Sequence, residues 1–272
     1  MPVLIDPGAL VLIALVEVLY VRAVRILRGR GYDVPLAQQL AWHGGVGLVA
    51  IGLLSPVDWL SEELLLAHMA QHLLIADLAA PLLLVGLRTP VVVFFLPRPV
   101  LVPLARRRRL RAAFRWLRRP LVAIPVFVLV LYGWHLGFMF EAALRNDAVH
   151  VLQHQSFVLA SLLVWWSAIE PKRRRLRGEL WKIGYILGAR LPSVMLGMAF
   201  LALRSPVYEG YYGDAAEEYG LSPLTDQQLA GGLMMSLDLI VMLIALGFFF
   251  WRAAEDHDRA ERAAANVHFT TS

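Results

Sequence analysis

Two histidine pairs with the same spacing lie in apolar stretches of the sequence. His68 and His72 are four residues apart, and His150 and His154 repeat that spacing later in the chain. Residues at i and i+4 share one face of a helix, with Cβ atoms about 6 Å apart, so two imidazoles can converge on one metal ion. A single HxxxH motif is weak, but its duplication at matched depth favours a metal or haem site.

A fifth histidine, His135, lies in a third apolar stretch at the same predicted depth, so the cluster would draw on three helices. The alternative is that each histidine only hydrogen-bonds a neighbouring helix, which is common within membranes. His43 fits that alternative best. His257 and His268 lie in the carboxyl-terminal tail, away from the apolar stretches.

Other side chains in the apolar stretches bear on the kind of metal. Thioether and imidazole ligands together favour Cu(I) over harder ions, although a methionine is more often a packing residue. Two carboxylates in these stretches are candidates for supporting a histidine or for bonding a neighbouring helix. The candidate supporting residues are Met69, Asp77, Met139, Met234, Met235 and Asp238. Asp226, with Gln227 and Gln228, is predicted to cap its own helix.

Composition indicates that lipid is the main solvent of this chain. The sequence has 272 residues, of which 58% are hydrophobic and 17% charged, and its formal net charge is +5. The basic residues lie in short loops between apolar runs, which favours lipid headgroups over nucleic acid as anionic neighbours. Because there is no cysteine, disulfides, thiolate metal sites and iron-sulfur clusters are excluded. The run from His68 to His72 also lacks the glutamate of an HExxH metalloprotease.

Seven stretches are long and apolar enough to cross a hydrocarbon core about 30 Å thick. They are residues 8–27, 35–54, 62–86, 121–140, 148–169, 181–203 and 228–251. We expect the first to remain as a helix, because no basic segment typical of a signal peptide precedes it. The sequence therefore predicts an all-α integral membrane protein, a bundle of about seven transmembrane helices.

The charges of the loops predict an orientation. Residues 22–30, 88–119 and 172–177 are basic, whereas residues 55–63 and 204–226 are acidic. Since Lys and Arg collect in short cytoplasmic loops, the amino terminus is predicted outside and the carboxyl terminus in the cytoplasm. The histidine cluster would then lie at the outer side of a bacterial inner membrane.

We expect one transmembrane domain over residues 1–272, with two parts outside the spans. Prolines break the apolar stretch 89–105, and the arginine-rich segment that follows resembles a basic amphipathic helix. Segment 88–119 is therefore interpreted as interfacial, with a solvated linker as the alternative. Residues 252–272 are predicted to form a short, partly helical cytoplasmic tail.

Four sequence blocks resemble the polytopic CtaG-type cytochrome c oxidase assembly factors of bacteria. They are AHMAQHLLIADLAAPLLLVG (67–86), YGWHLGFMFEAALRNDAVHVLQHQSFVLASLLVWW (132–166), LPSVMLG (191–197) and GLSPLTDQQLAGGLMM (220–235). The resemblance implies a factor that helps to mature a haem-copper oxidase by supporting copper delivery. The candidate metal ligands at matching positions are His68, His72, His135, His150 and His154.

The sequence thus favours a non-enzymatic assembly factor that binds copper at an outer-side histidine cluster. Its expected partners are oxidase subunits, a copper chaperone and membrane lipid, with no role for nucleic acid. One alternative is a membrane haem protein that exchanges electrons with quinone, using facing histidines as axial ligands. A membrane oxygenase with a dinuclear site is a weaker alternative, because such enzymes usually carry more histidine boxes, on the cytoplasmic side.

Overall fold

The computed structural model describes residues 6–170 and 180–270, which form helices and no strand. The all-α prediction is therefore confirmed for this part of the chain, and the predicted basic segment 172–177 lies outside it. The helices are α1 (Pro7–Arg28), α2 (Leu36–Leu54), α3 (Pro56–Glu63), α4 (Leu65–His72), a π-helical segment (Leu73–Leu78), α5 (Ala79–Gly86), α6 (Val91–Phe95), α7 (Arg98–Arg106), α8 (Arg108–Leu117), α9 (Pro120–Trp134), α10 (Gly137–Arg145), α11 (Asp147–Ile169), α12 (Leu180–Ala202), α13 (Glu209–Glu218) and α14 (Pro223–Thr270).

Four helical stretches of the described chain are long and apolar enough to cross a membrane. They are Leu65–Gly86, Asp147–Ile169, Leu180–Ala202 and Pro223–Arg259. Two bent pairs, α2 with α3 and α9 with α10, raise the number to six if each pair is one span. The described helices are thus compatible with a multi-pass membrane protein. The predicted count of seven depends on α1 as well and stays a prediction.

Capping side chains mark several helix starts. Asp6 precedes Pro7 and accepts a hydrogen bond from the Gly8 N–H at 2.8 Å, which begins α1. Asn146 likewise accepts from the Val149 N–H at 3.2 Å and begins α11. Short polar side chains at these positions satisfy N–H groups that have no partner within the helix.

The predicted span 121–140 is not one continuous helix. Helix α9 ends at Trp134, and α10 leaves it at an angle of 71°. Leu136 has an extended backbone, with φ −66° and ψ 131°, and Nδ1 of His135 lies 2.7 Å from the Leu131 carbonyl oxygen. A side chain that bonds a carbonyl of the last turn competes with helix continuation. His135 therefore lies at a sharp corner between two helices.

The predicted span 62–86 begins three residues later than expected and is irregular in its middle. Glu62 and Glu63 belong to α3, and the span starts at Leu65. A π-helical segment, Leu73–Leu78, separates α4 from α5. Such segments occur mostly as single turns and frequently at functional sites. The histidine pair lies immediately before this irregular turn.

Helices α12 and α14 pack most closely where two glycines face each other. A Cβ atom built on Gly231 would meet the Gly197 carbonyl oxygen at 2.5 Å, and one built on Gly197 would meet that of Gly231 at 2.8 Å. Small residues at such positions let membrane helices approach closely. The main hydrophobic core includes buried residues of these two helices and of α4, α9 and α11. A smaller cluster around Tyr20 and Trp42 joins α1 to α2 and α6.

The segments predicted outside the spans are helical. The stretch broken by prolines forms the short helices α6 and α7, and the arginine-rich part forms α8, whose residues are mostly exposed. The predicted span 228–251 lies within the longer helix α14, which continues through the predicted tail to Thr270. The interfacial position of residues 88–119 stays a prediction.

Candidate metal centre

Three histidines from two helices come together near the start of the span Leu65–Gly86, which begins with α4. One ligand nitrogen from each of His68, His72 and His150 lies within 4.8 Å of the others. His68 is fully buried and His72 is 7% exposed, and their Nε2 atoms are 2.7 Å apart. The i, i+4 spacing on α4 places the first two imidazoles side by side, and α11 brings the third. This set can hold a small cation through imidazole nitrogens.

His154 extends the cluster by one helical turn of α11. Its ring centroid lies 4.2 Å from that of His150 and 5.0 Å from that of His72. Within the described residues, the Nε2 atoms of His135, His150 and His154 are buried without a hydrogen-bond partner. Buried polar atoms normally have partners, and a metal ion would satisfy the nitrogen of each imidazole that binds it.

His135 approaches the cluster from the corner after α9 and shares a small cavity with His72. The cavity has a volume of about 30 Å³, which is about the space of one water molecule. Its polar and sulfur-bearing lining consists of Met69, His72, Asp77, His135, Ser193, Met234 and Asp238. The structure therefore brings soft thioethers and two imidazoles to one place, next to the three-histidine group.

The candidate methionines divide into two groups. Met69 and Met234 are buried and line the small cavity. Met139 and Met235 are half-buried, and they do not contribute to its lining. Only the first two are placed to act as soft ligands beside His72 and His135.

The two intramembrane carboxylates share a partner that sequence reasoning missed. Arg190 of α12 has no exposed surface, and its guanidinium lies 2.6 Å from Asp77 Oδ1 and also contacts Asp238. The two carboxylates of this triad line the small cavity. The signal in the sequence was an arginine inside a predicted span, which is rare enough to suggest a buried ionic partner.

Asp226 caps a different helix from the one predicted. Its two carboxylate oxygens accept hydrogen bonds from the Leu65 and Leu66 N–H groups at 2.7 and 3.0 Å. It thus caps α4 from the first turn of α14, whereas Ser222 accepts from the Thr225 N–H at the start of α14 itself. The prediction was wrong because the cap crosses between helices. The carboxylate fixes the helix end that carries His68.

Two tyrosines at the start of α13, Tyr208 immediately before it and Tyr212 within it, pack near the histidine cluster. Tyr208 donates a hydrogen bond to the His135 carbonyl oxygen at 2.7 Å, and its ring stacks 4.0 Å from Phe140, which contacts His68 at 4.9 Å. Tyr212 donates to the Ser61 carbonyl oxygen at 2.9 Å. Burial raises the pKa of both phenols, so they remain neutral donors. The sequence indicated only a tyrosine-rich loop.

Comparison with known proteins gives one family. The family described as "Cytochrome c oxidase caa3 assembly factor" matches residues 18–256. An uncharacterized protein of Mycobacterium bovis and one of Mycobacterium tuberculosis are each 26% identical over 258 residues, covering 89% of this chain and 38% of the relative. The chain therefore spans well under half the length of these relatives. The comparison with solved structures gives no match.

Proposed function

Because this chain belongs to the cytochrome c oxidase caa3 assembly factor family, we propose that it binds copper at its histidine cluster and aids the insertion of that copper into a haem-copper oxidase. Copper is the cargo in this proposal, and the protein is not an enzyme. The observation that carries the proposal is the convergence of His68, His72 and His150, with ligand nitrogens within 4.8 Å of one another.

The surroundings of the cluster favour Cu(I) as the ion. Imidazole nitrogens and the thioethers of Met69 and Met234 are soft ligands, and no thiolate competes because the chain has no cysteine. The ion could take two positions with different additional ligands. In one position His135 would bind it from the small cavity, and in the other His154 would bind it from α11. An ion that moves among alternative ligands can be released to a partner more readily than one held in a closed structural site.

Haem is less well supported as the cofactor. The cavity that adjoins His72 and His135 has a volume of about 30 Å³, room for about one water molecule. A porphyrin ring between these imidazoles would require the helices to separate. A single ion requires only that the side chains close around it.

The proposed topology places the cluster where a partner can reach it. We propose seven spans within one domain of residues 1–272 in a bacterial inner membrane, with the amino terminus outside and the carboxyl terminus in the cytoplasm. The arginines of residues 88–119 would then face the cytoplasm, as positive loops do. His68 and His150 lie in the helical turns nearest the opposite side, from which a copper chaperone and the oxidase subunits would exchange the ion.

Copper loading of the purified protein tests this function. The wild type and a His68→Ala/His72→Ala/His150→Ala variant are loaded with Cu(I) anaerobically, and bound copper is measured after removal of free ion. His257→Ala is the matched control, because that histidine is exposed on α14 outside the cluster. We expect copper on the wild type and the control, and its loss from the triple variant.

A cellular readout completes the test. Cells that depend on each variant for oxidase maturation are expected to lose oxidase copper with the triple variant and to keep it with His257→Ala. Copper retained by a folded triple variant would contradict the proposal. So would a wild type that binds none after anaerobic loading, or one that is purified with a Soret band, which would indicate the haem alternative.

A further inference from the structure

A second, larger cavity lies between α5, α11 and α14, on the far side of the Arg190 triad from the histidines. Its volume is about 380 Å³, within the range of roughly 300–1,000 Å³ that is typical of ligand sites. The walls are mostly apolar and include Val85, Ala245 and Phe248. Water would find few hydrogen-bond partners along such walls, so an apolar occupant is expected.

The open end of this cavity is basic. Arg88 follows α5, Lys182 lies in the first turn of α12 and Arg252 lies on α14, and all three line the cavity. Lys182 is only 4% exposed, and its Nζ lies 3.4 Å from Glu170 and over the ring of Phe249 at 5.3 Å. Asp77, at the deep end, is the carboxylate of the lining and is paired with Arg190. The occupant therefore meets cations at one end and hydrocarbon along its length.

The length of the cavity matches one leaflet of a membrane. Asp77 and Arg88 are separated by eleven positions along the π-helical segment and α5, or roughly 16 Å at 1.5 Å per residue. That distance is about half of a hydrocarbon core roughly 30 Å thick. A single acyl chain fits this depth with its headgroup among the basic residues.

We propose that this cavity is a binding site for an anionic phospholipid, with one acyl chain between α5, α11 and α14 and its phosphate beside Arg88, Lys182 and Arg252. Among the described residues, neither histidine nor methionine belongs to its lining, so these residues offer no axial ligand for haem. Arginine and lysine near a membrane surface attract anionic headgroups electrostatically.

Native mass spectrometry of the full chain tests this site. The protein is equilibrated with phosphatidylglycerol or phosphatidylcholine of identical acyl chains, and the lipid that survives delipidation is counted. Arg252→Gln removes charge and Ala245→Phe fills the cavity. Arg106→Gln is the matched control, because Arg106 is an exposed arginine of α7 outside the lining. Val85→Phe fills the opposite wall and replaces Ala245→Phe if that variant does not fold.

We expect the wild type to retain phosphatidylglycerol in preference to phosphatidylcholine. Arg252→Gln should lower that retention about fivefold, the attraction that one basic residue contributes near a membrane surface. The cavity-filling variant should lose the lipid altogether, whereas Arg106→Gln should match the wild type. Equal retention of both lipids, undiminished retention in a folded cavity-filling variant, or the same loss in Arg106→Gln would each overturn the proposal.

Discussion

Arg190 balances two carboxylates in the middle of the bundle, and its removal should be the most destabilising single change in this region. The guanidinium is fully buried on α12 and joins Asp77, before α5, to Asp238 on α14. Arg190→Met keeps most of the side-chain volume but removes the charge. It leaves two carboxylates in an apolar interior without a counter-charge, so three helices lose their common ionic contact.

The expected loss is large because the whole site is desolvated. Breaking a buried pair by removing one partner typically costs about 3–5 kcal/mol, since the remaining charge is left uncompensated. Asp238→Asn should cost less, about 1.5–3 kcal/mol, because Arg190 keeps Asp77 as partner and only a charged hydrogen bond is weakened. Arg190→Met combined with Asp77→Asn and Asp238→Asn removes every charge, and should recover most of the stability that Arg190→Met alone loses.

Equilibrium unfolding in mixed micelles, with a rising fraction of denaturing detergent, measures these differences. Arg145→Met is the matched control, because Arg145 is an exposed arginine paired with Glu141 four residues earlier at 3.4 Å. Its loss should change the free energy of unfolding by no more than about 0.5 kcal/mol. The reasoning would be refuted by an Arg190→Met protein as stable as the control, or by a triple variant less stable than Arg190→Met.

Two further predictions concern helix contacts. Gly231→Ala should destabilise the protein and loosen α12 from α14, because its Cβ would meet the Gly197 carbonyl oxygen at 2.5 Å. The control Gly232→Ala, whose Cβ would have no atom within 4 Å, should be neutral or stabilising by up to about 1 kcal/mol. Equal effects of the two changes in the same unfolding assay would contradict the close approach. Asp226→Ala should cost about 0.5–2 kcal/mol by uncapping α4 and should also weaken Cu(I) binding, measured by competition with a chelator. Wild-type stability and affinity in that variant would show that the cap does not position His68.

Hydropathy predicted most of the long helices because the need to satisfy backbone groups in lipid leaves few alternatives. The predicted segments 148–169 and 181–203 agree with α11 and α12 to within one residue. The corner at His135 was missed because an apolar composition does not distinguish a straight span from a bent one. At that corner the His135 ring contacts the Leu131 carbonyl oxygen, and no hydropathy average contains such a contact.

The i, i+4 spacing predicted which histidines are neighbours on one helix, but not which helices meet. The meeting of this span with α11 depends on long-range packing, including the bond from the Ser161 hydroxyl to the carbonyl oxygen of Ala76 in the π-helical segment at 2.8 Å. The two tyrosines near the cluster were also missed. Tyr208 and Tyr212 reach the site through hydrogen bonds to distant carbonyl groups, and the mixed composition of their segment carries no periodic signal for such contacts.

The π-helical segment links the histidine cluster to the Arg190 triad. The hydrophobic periodicity of a regular α-helix could not predict it. In an uninterrupted α-helix, a residue five positions after His72 would lie about 140° around the axis, at 100° per residue. In a π-helix the hydrogen bond runs from i to i+5, so residues five apart return towards the same face. Asp77 accordingly lines the same small cavity as His72 while it pairs with Arg190. One local change of helical period thus lets Asp77 contact Arg190 and also line the cavity beside His72, where its charge would act on a cation held at the proposed site.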